Sequence, residues 1–351
     1  SLGLVAMLDA KVLKAYGPCK NAARLESSKI FTNEFCVRNS IPNGLFKVFT
    51  DSVKAAEFLR SSEARFPIVL KADGLAAGKG VIIACDLAEA LAAVKAIMVD
   101  REFGEAGSRL LVEEFLRGEE ASVMAVCDGE NGLIIPTARD FKRALDNDKG
   151  PNTGGMGSLS PAPILRDGDL PIIKEKIIDR TLGAMAAEGS PFRGTLYAGL
   201  MMTAEGPKLL EFNARFGDPE TQVVVPRIKS DLFELLAASA QEGIKGFRLE
   251  VSDEAAVSVV AASGGYPGKY PKGFEIKGIR EAEKQGAIVF HAGTRDNNGI
   301  IVTDGGRVLN VTALGGTVRT ARESAYRALS CIHFEGMAFR GDIAMEAVER
   351  S

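Results

Sequence analysis

Along LEFNAR (210–215) apolar and polar residues alternate one for one. Successive side chains of a strand point to opposite faces, so Leu210, Phe212 and Ala214 are expected to pack inward while Glu211, Asn213 and Arg215 line the other side. The blocks FPIVL (66–70) and VIIAC (81–85) are short, apolar and partly β-branched, the pattern of buried strands. The loop between them, KADGLAAGKG (71–80), therefore joins strand to strand. The same reasoning predicts strands over 110–115 and 121–127, and a hairpin of TLYAGLMMT (195–203) and PKLLEFN (207–213). KVLKAYGP (11–18) reads as a further strand of an α/β layer. Helical spacing appears at the start of the chain, over 21–39, from Asp86, over about 169–188 and from about Val318; Asp218-Pro219 has the form of an N-cap followed by a first-turn proline. A β-rich unit is expected over 47–113. From about Asp253, strands with tight glycine turns mark a separate C-terminal unit.

SLGLVAML already reads as the interior of an amphipathic helix, with neither an initiator methionine nor a signal peptide, so the first part of a domain is expected to be missing. A chain of 351 residues has room for two or three domains. The net charge of −3 offers no basic footprint for nucleic acid. The longest uncharged stretch, 150–165, is short of the roughly 18 residues of a membrane span and rich in Gly, Ser and Pro. Cys19, Cys36, Cys85, Cys127 and Cys331 are scattered, without a C-x-x-C pair, which points to reduced thiols in a cytoplasmic protein and away from zinc. His291 and His333 lie near no promising serine or cysteine, so a nucleophile–histidine pair has little support.

The alternating 210–215 stretch carries the strongest chemistry. A carboxylate and an amide carbonyl on one strand face are hard oxygen ligands suited to Mg²⁺, and Arg215 offers a fork for a phosphate or carboxylate. A solvated sheet edge is the alternative, and it leaves three polar residues on one side unexplained. In VEEFLRGEEAS (112–122) the end of a strand can present backbone groups to an adenine edge, with Glu120 placed for ribose hydroxyls; read alone, those charges are more often a solvated turn. Asp140-Phe-Lys142-Arg, followed by GPNTGGMG (150–157), can make an anion-binding concavity of loop N–H groups, with Asp140 holding an amine. The 71–80 loop fits neither a Walker A loop nor a dinucleotide fingerprint. What remains is a glycine flap (Gly74, Gly78, Gly80) with Lys71 and Lys79 able to close over an anion. On this stretch alone an ordinary exposed hairpin is favoured.

The flap, EEFL, DFKR, GPNTGGMG and EFNARFGDPETQ, in this order, closely resemble the glycinamide ribonucleotide synthetases (phosphoribosylamine–glycine ligases) of the ATP-grasp superfamily, over about residues 2–350. The resemblance implies an α/β (α+β) ATP-grasp fold. Residues 1–27 would be the remnant of an N-terminal Rossmann-like domain, 28–252 the ATP-grasp domain with the 47–113 subdomain inserted, and 253–351 a small β-rich domain. It implies ATP with Mg²⁺ or Mn²⁺ as cofactors, Lys29 and Lys71 on the phosphates, and the glycine flap with Lys79 over them. Adenine would meet Glu113, Glu114, Phe115 and Leu116, ribose Glu120, and metal Glu211 and Asn213. Lys71 and Arg215 are the expected catalytic residues, and Asp140, Lys142, Gly154, Gly155, Arg215 and Asp218 would bind substrate. The chemistry implied is phosphorylation of the glycine carboxylate, then attack by the amine of 5-phosphoribosylamine, in a monomer that binds neither nucleic acid nor membrane. Such chemistry relies on positioning and charge neutralisation, which suits a chain without a triad. The family's opening GNGGREHA-like motif has no counterpart here, and TLYAGLMMT lacks the carboxylate that many ATP-grasp enzymes carry on that strand, an absence the family shares. Two other readings stay open: another ATP-grasp carboxylate–amine ligase, and a non-catalytic nucleotide-binding module.

Overall fold

A computed structural model describes every residue except 1–2, 12, 75–79, 242 and 350–351. It divides into two units, the first made of Ser1–Ile134, Ile164–Arg215 and Phe233–Phe247, the second of Ile135–Pro163, Phe216–Leu232 and Arg248–Ser351.

The first unit holds two four-stranded antiparallel sheets. In one, the strands run in the order Phe46–Phe49, Leu110–Glu114, Ile68–Ala72, Val81–Ala84. Its odd-and-even alternation is strict. Ile68, Leu70, Ala72, Leu110 and Val112 pack under the helices Ser52–Arg60 and Leu87–Val94, through Ala55, Leu59, Ala90, Ala93 and Val94. Lys71 and Glu113 are thereby turned to the other face. Both helices start where the sequence supplies an acceptor for orphan amides: Asp51 accepts from Val53 N at 2.8 Å and Asp86 from Glu89 N at 2.9 Å.

The second sheet orders Gly206–Asn213, Arg193–Thr203, Glu119–Asp128 and Gly132–Ile134. Val123, Ala125, Cys127, Leu196, Ala198 and Phe212 pack against Ile173, Ile177, Ile178 and Leu182 of the helical run 169–187 and against Phe31 and Phe35 of helix Lys29–Arg38. On the opposite face the register sets Ser122 across from Gly199 and Met124 across from Tyr197, and Tyr197 and Gly199 in turn across from Asn213 and Glu211.

The second unit is built on the fully buried strand Ala255–Ser263. Arg307–Gly315 lies on one side of it and Gly157–Ser160 on the other, and helix Val318–Leu329, opened by a Thr317 capping box, packs against the sheet. Among the described residues no helix is long and apolar enough to cross a membrane.

Three local readings change. The described part of KVLKAYGP forms no strand: Leu13 is exposed, and the Tyr16 hydroxyl lies 2.6 Å from Thr195 Oγ1. The 21–39 helix is interrupted at Ser28, whose extended backbone (φ −139°) ends Arg24–Ser27 and caps Lys29–Arg38. Asp218-Pro219 opens no helix. The helix begins at Thr221, and the Asp218 carboxylate pairs with Arg307 at 2.9 Å instead of capping it.

One buried charge holds the 143–152 hairpin to the chain end. The Arg340 side chain is 2% exposed and donates to both carboxylate oxygens of Asp342 at 2.8 Å, to Asp148 at 2.8 Å and to the Arg143 carbonyl at 3.1 Å. Removing one member of a buried ionic cluster strands the others. Arg340→Ala should therefore lower the stability of this unit by about 3 kcal/mol, measured as a lower urea midpoint at unchanged m-value. An unchanged midpoint would mean that the cluster adds nothing.

Candidate functional site

In the first unit the candidate residues gather on the two sheet faces left free by the helices. Ser28 begins the arrangement. Its Oγ accepts from Phe31 N at 3.1 Å and donates to Asp73 Oδ1 at 2.9 Å, and Ile30 N donates to the same oxygen at 3.1 Å. Arg109 pairs with the other oxygen of Asp73, whose side chain is 2% exposed. The base of the 71–80 loop is thus bolted to the helix that carries Lys29, and the Lys29 ammonium donates to Gly74 O at 3.1 Å. Burial pushes that ammonium below the usual lysine range; Glu211 opposes the shift most strongly among its neighbours, and Lys71 adds to it.

Lys71 sits deeper. Its Nζ lies 2.5 Å from Glu113 Oε2 and donates to the Leu210 carbonyl at 3.2 Å. Glu113 Oε1 accepts from Asn33 Nδ2 at 2.7 Å, and Asn33 Oδ1 from Asn43 Nδ2 at 2.9 Å. One polar chain therefore runs from Asn43 through helix Lys29–Arg38 and the first sheet to the strand of the second sheet that bears Glu211. Glu113, expected beside a nucleotide, has its carboxylate committed to Lys71 and Asn33. Glu114 is likewise engaged, accepting from Leu45 N at 2.9 Å. Phe115 and Leu116 follow, half-buried, past the strand end, and Glu120 stands on the next strand across from Met201, on the face of Ser122. Gly74 and Gly80 flank the loop, with Gly80 O accepting from Ala72 N at 2.9 Å; Gly78 and Lys79 lie outside the described residues.

Glu211 and Asn213 are half-buried on the free face, and the apolar side of their strand is sealed by Phe212, 2% exposed. Arg215, past the strand end, donates through Nη2 to Asn213 Oδ1 at 3.1 Å and through Nε to Glu26 Oε1 at 3.0 Å. Glu26 Oε2 accepts from Ala214 N at 2.8 Å, which fixes the turn after the strand. The Asn213 oxygen keeps a second lone pair. Two oxygen donors fit a hard cation such as Mg²⁺, which takes few protein ligands and fills its shell from phosphates and water. Among the described residues no group of three or more His, Cys, Asp or Glu side chains forms a denser metal site.

The second unit holds the other expected residues. Lys142 Nζ is 3.5 Å from Asp140 Oδ1. In GPNTGGMG two of the amides are bonded within the protein: Gly154 N donates to Tyr266 Oη at 3.0 Å and Gly155 N to Thr153 Oγ1 at 3.0 Å. Asn33, Asp73, Glu26, Tyr266 and Arg307 organise these groups and were not singled out from sequence, since their partners lie tens of residues away.

Comparison with known proteins places the chain. Residues 27–221 match the family model described as phosphoribosylglycinamide synthetase, ATP-grasp (A) domain, and residues 256–346 match that of the phosphoribosylglycinamide synthetase C domain.

The chain belongs to the phosphoribosylglycinamide synthetase family.

The phosphoribosylamine–glycine ligase of Caldanaerobacter subterraneus is 48% identical over 97% of the chain and 81% of its own length, and that of Escherichia coli 48% identical over 99% and 81%. The crystal structure of the Thermotoga maritima phosphoribosylamine–glycine ligase superposes with a TM-score of 0.86 at 38% identity, covering 94% of this chain and 81% of that one. A biotin carboxylase from Campylobacter jejuni shares the fold at a TM-score of 0.72 and 14% identity, over 95% of this chain and 73% of its own. The fold of this phosphoribosylglycinamide synthetase family member is thus ATP-grasp, mixed α/β, with a β-rich C-terminal region.

The Lys71–Glu113 pair makes a direct prediction, because both side chains are nearly inaccessible, 9% and 11% exposed. Glu113→Gln should cost about 3 kcal/mol by leaving a buried ammonium without its counter-charge. Lys71→Met combined with Glu113→Leu should recover much of that loss. Urea unfolding of the parent and both variants is the measurement, and a Glu113→Gln protein as stable as the parent would dismiss the pair as an organising element.

Proposed function

We propose that this chain joins glycine to 5-phosphoribosylamine with cleavage of ATP, giving glycinamide ribonucleotide, ADP and phosphate by way of glycyl phosphate. The observation that carries this reading is the Lys71 ammonium held against the Leu210 carbonyl, one residue from Glu211, in a chain 48% identical to a phosphoribosylamine–glycine ligase over 97% of its length. We read 28–252 as the ATP-grasp domain and 253–351 as the C-terminal domain, a reading that the family-model matches over 27–221 and 256–346 support over those residues. The five unpaired cysteines support a reducing compartment, the cytoplasm, and the chain is read as a monomer acting on small molecules.

Lys29 and Lys71 take the ATP phosphates, and Glu113 with Asn33 fixes the direction of the Lys71 ammonium. Adenine lies along the backbone at Glu114, Phe115 and Leu116, and ribose meets Glu120. Gly74 and Gly80, with Gly78 and Lys79, cover the phosphates. Glu211 and Asn213 would hold the divalent ion. There, Mg²⁺ (or Mn²⁺) would supply neutralisation of the charge that develops in phosphoryl transfer. Arg215, steadied by Glu26, offers its fork to the glycine carboxylate as that group attacks the γ-phosphorus and ADP leaves. The amine of 5-phosphoribosylamine then attacks the acyl carbon, phosphate departs and the nitrogen loses a proton. Asp140, Lys142, Gly154, Gly155 and Asp218 form the acceptor side. No protein nucleophile enters, so orientation and fixed charge carry the rate.

Glycine- and phosphoribosylamine-dependent ADP release tests the whole reading, and ADP release driven instead by bicarbonate or another carboxylate would overturn it. Glu211→Gln should keep the fold, since its face is not core, yet lose most of that activity. Asn213→Asp, which retains an oxygen, should be milder than Asn213→Leu, and added Mg²⁺ should partly rescue the weaker variants. Lys71→Ala should lower kcat/KM by an amount equivalent to about 2–4 kcal/mol. Normal turnover in Glu211→Gln would end the metal assignment.

A further inference from the structure

Two short motifs of the second unit, GPNTGG and FGDP, converge on one guanidinium. Arg307 opens the strand Arg307–Gly315, and its Nη1 donates to the Gly154 carbonyl at 2.6 Å, to that of Asp218 at 2.9 Å and, at the long limit of 3.5 Å, to that of Gly155. Nη2 donates to the Asp218 carboxylate at 2.9 Å. A single rigid fork thus ties GPNTGG to FGDP.

The neighbouring turns are shaped around the same point. Tyr266, from SGGYPG, accepts the Gly154 amide proton at 3.0 Å. Its ring occupies the space next to Gly306, where a Cβ would lie 2.2 Å from ring carbon Cδ2. Ser263 locks the two turns together, with N donating to Gly306 O at 2.7 Å and Oγ to Gly305 O at 2.8 Å. The motif glycines serve close approach: a Cβ on Gly154 would stand 2.8 Å from Arg307 Cζ, and one on Gly155 (φ +112°) 2.4 Å from Pro219 Cδ. With both amides and both carbonyls at 154–155 bonded inside the protein, this part of the loop is a fixed wall.

We propose that Arg307, seconded by Tyr266, is a positioning residue for the amine substrate: it sets the GPNTGG wall against FGDP and so shapes the surface that receives 5-phosphoribosylamine, without touching the reacting atoms. The proposal rests on the reading of residues 140–155 and Asp218 as the acceptor side. The groups assigned to ATP belong to the first unit, so loosening the grip should act on the acceptor alone.

Steady-state ADP formation by the full chain, with each substrate varied in turn, is the test, on Arg307→Gln, Arg307→Lys and Tyr266→Phe. Arg307→Gln should raise KM for 5-phosphoribosylamine about tenfold to a hundredfold, the scale of a misplaced binding surface, with KM for ATP unchanged. Arg307→Lys should restore part of this, since it keeps the charge but cannot bridge two segments with one planar fork. Tyr266→Phe keeps the ring packing and should give a smaller rise, with faster hydrogen exchange at the Gly154 amide; it decides the matter if Arg307→Gln does not fold. Turnover by the unaltered chain with the acceptor KM unchanged in every folded variant, or an equal rise in KM for ATP, would overturn this proposal alone. Absence of glycine- and phosphoribosylamine-dependent ADP formation in the unaltered chain would overturn the functional reading and this proposal with it.

Discussion

The first unit depends on a lysine that is almost wholly removed from water. Bringing Lys71 and Glu113 inside costs several kcal/mol per ion before their attraction is counted, so the pair is tolerable only if its remaining donors and acceptors are met. They are: Glu113 also receives Asn33, and Lys71 also reaches the Leu210 carbonyl. Because those partners belong to a helix and to both sheets, satisfying one ion pair fixes three elements at once. The two sheets then present their uncovered faces, with the Lys29 and Lys71 ammonium groups and the Glu211 carboxylate in one electrostatic neighbourhood.

The same economy of faces explains what could be read in advance. Where a strand has core on one side and chemistry on the other, its period of two separates the roles residue by residue. Phe212 is buried in the helix-covered core, while Glu211 and Asn213 flank it on the free side. The flanking hairpins were legible for the same reason, and so was the strand-to-strand placement of the 71–80 loop. Helix starts were legible where a capping residue stands alone, as at Asp86.

Other features escaped because their causes are distant. Asp73 is 43 residues from the amide it accepts, and Arg307 is 153 residues from the carbonyl it grips. No local pattern announces such partners. KVLKAYGP has strand-like composition, yet its described part joins no ladder, and Tyr16 meets the hydroxyl of the distant Thr195. Asp218 has the form of an N-cap, yet a guanidinium outcompetes the backbone amides for it. Glycine was the most ambiguous letter. In GPNTGG the same residues suit an anion cradle or close packing, and the hydrogen bonds of Gly154 and Gly155 decide for packing.

The glycine opposite the candidate metal site carries a different consequence. Gly199 stands across the ladder from Glu211, and a Cβ there would come within 3.3 Å of Glu211 Cγ. A side chain at that position, an acidic one included, would press on the carboxylate it faces. Leaving it out spares Glu211 that contact, and it also means that no carboxylate faces Glu211 from position 199. A Mg²⁺ ion demands about six oxygen ligands and gives up water reluctantly. On the proposed reading, Glu211 and Asn213 would hold the ion together with the nucleotide, so that metal and nucleotide would stabilise each other's binding. The protein's own share would be the side-chain oxygens of Glu211 and Asn213, beside a lysine held by a buried carboxylate. An enzyme without a nucleophile needs those groups set before the substrates arrive, because fixed charge stabilises the transition state only when no reorganisation is left to do.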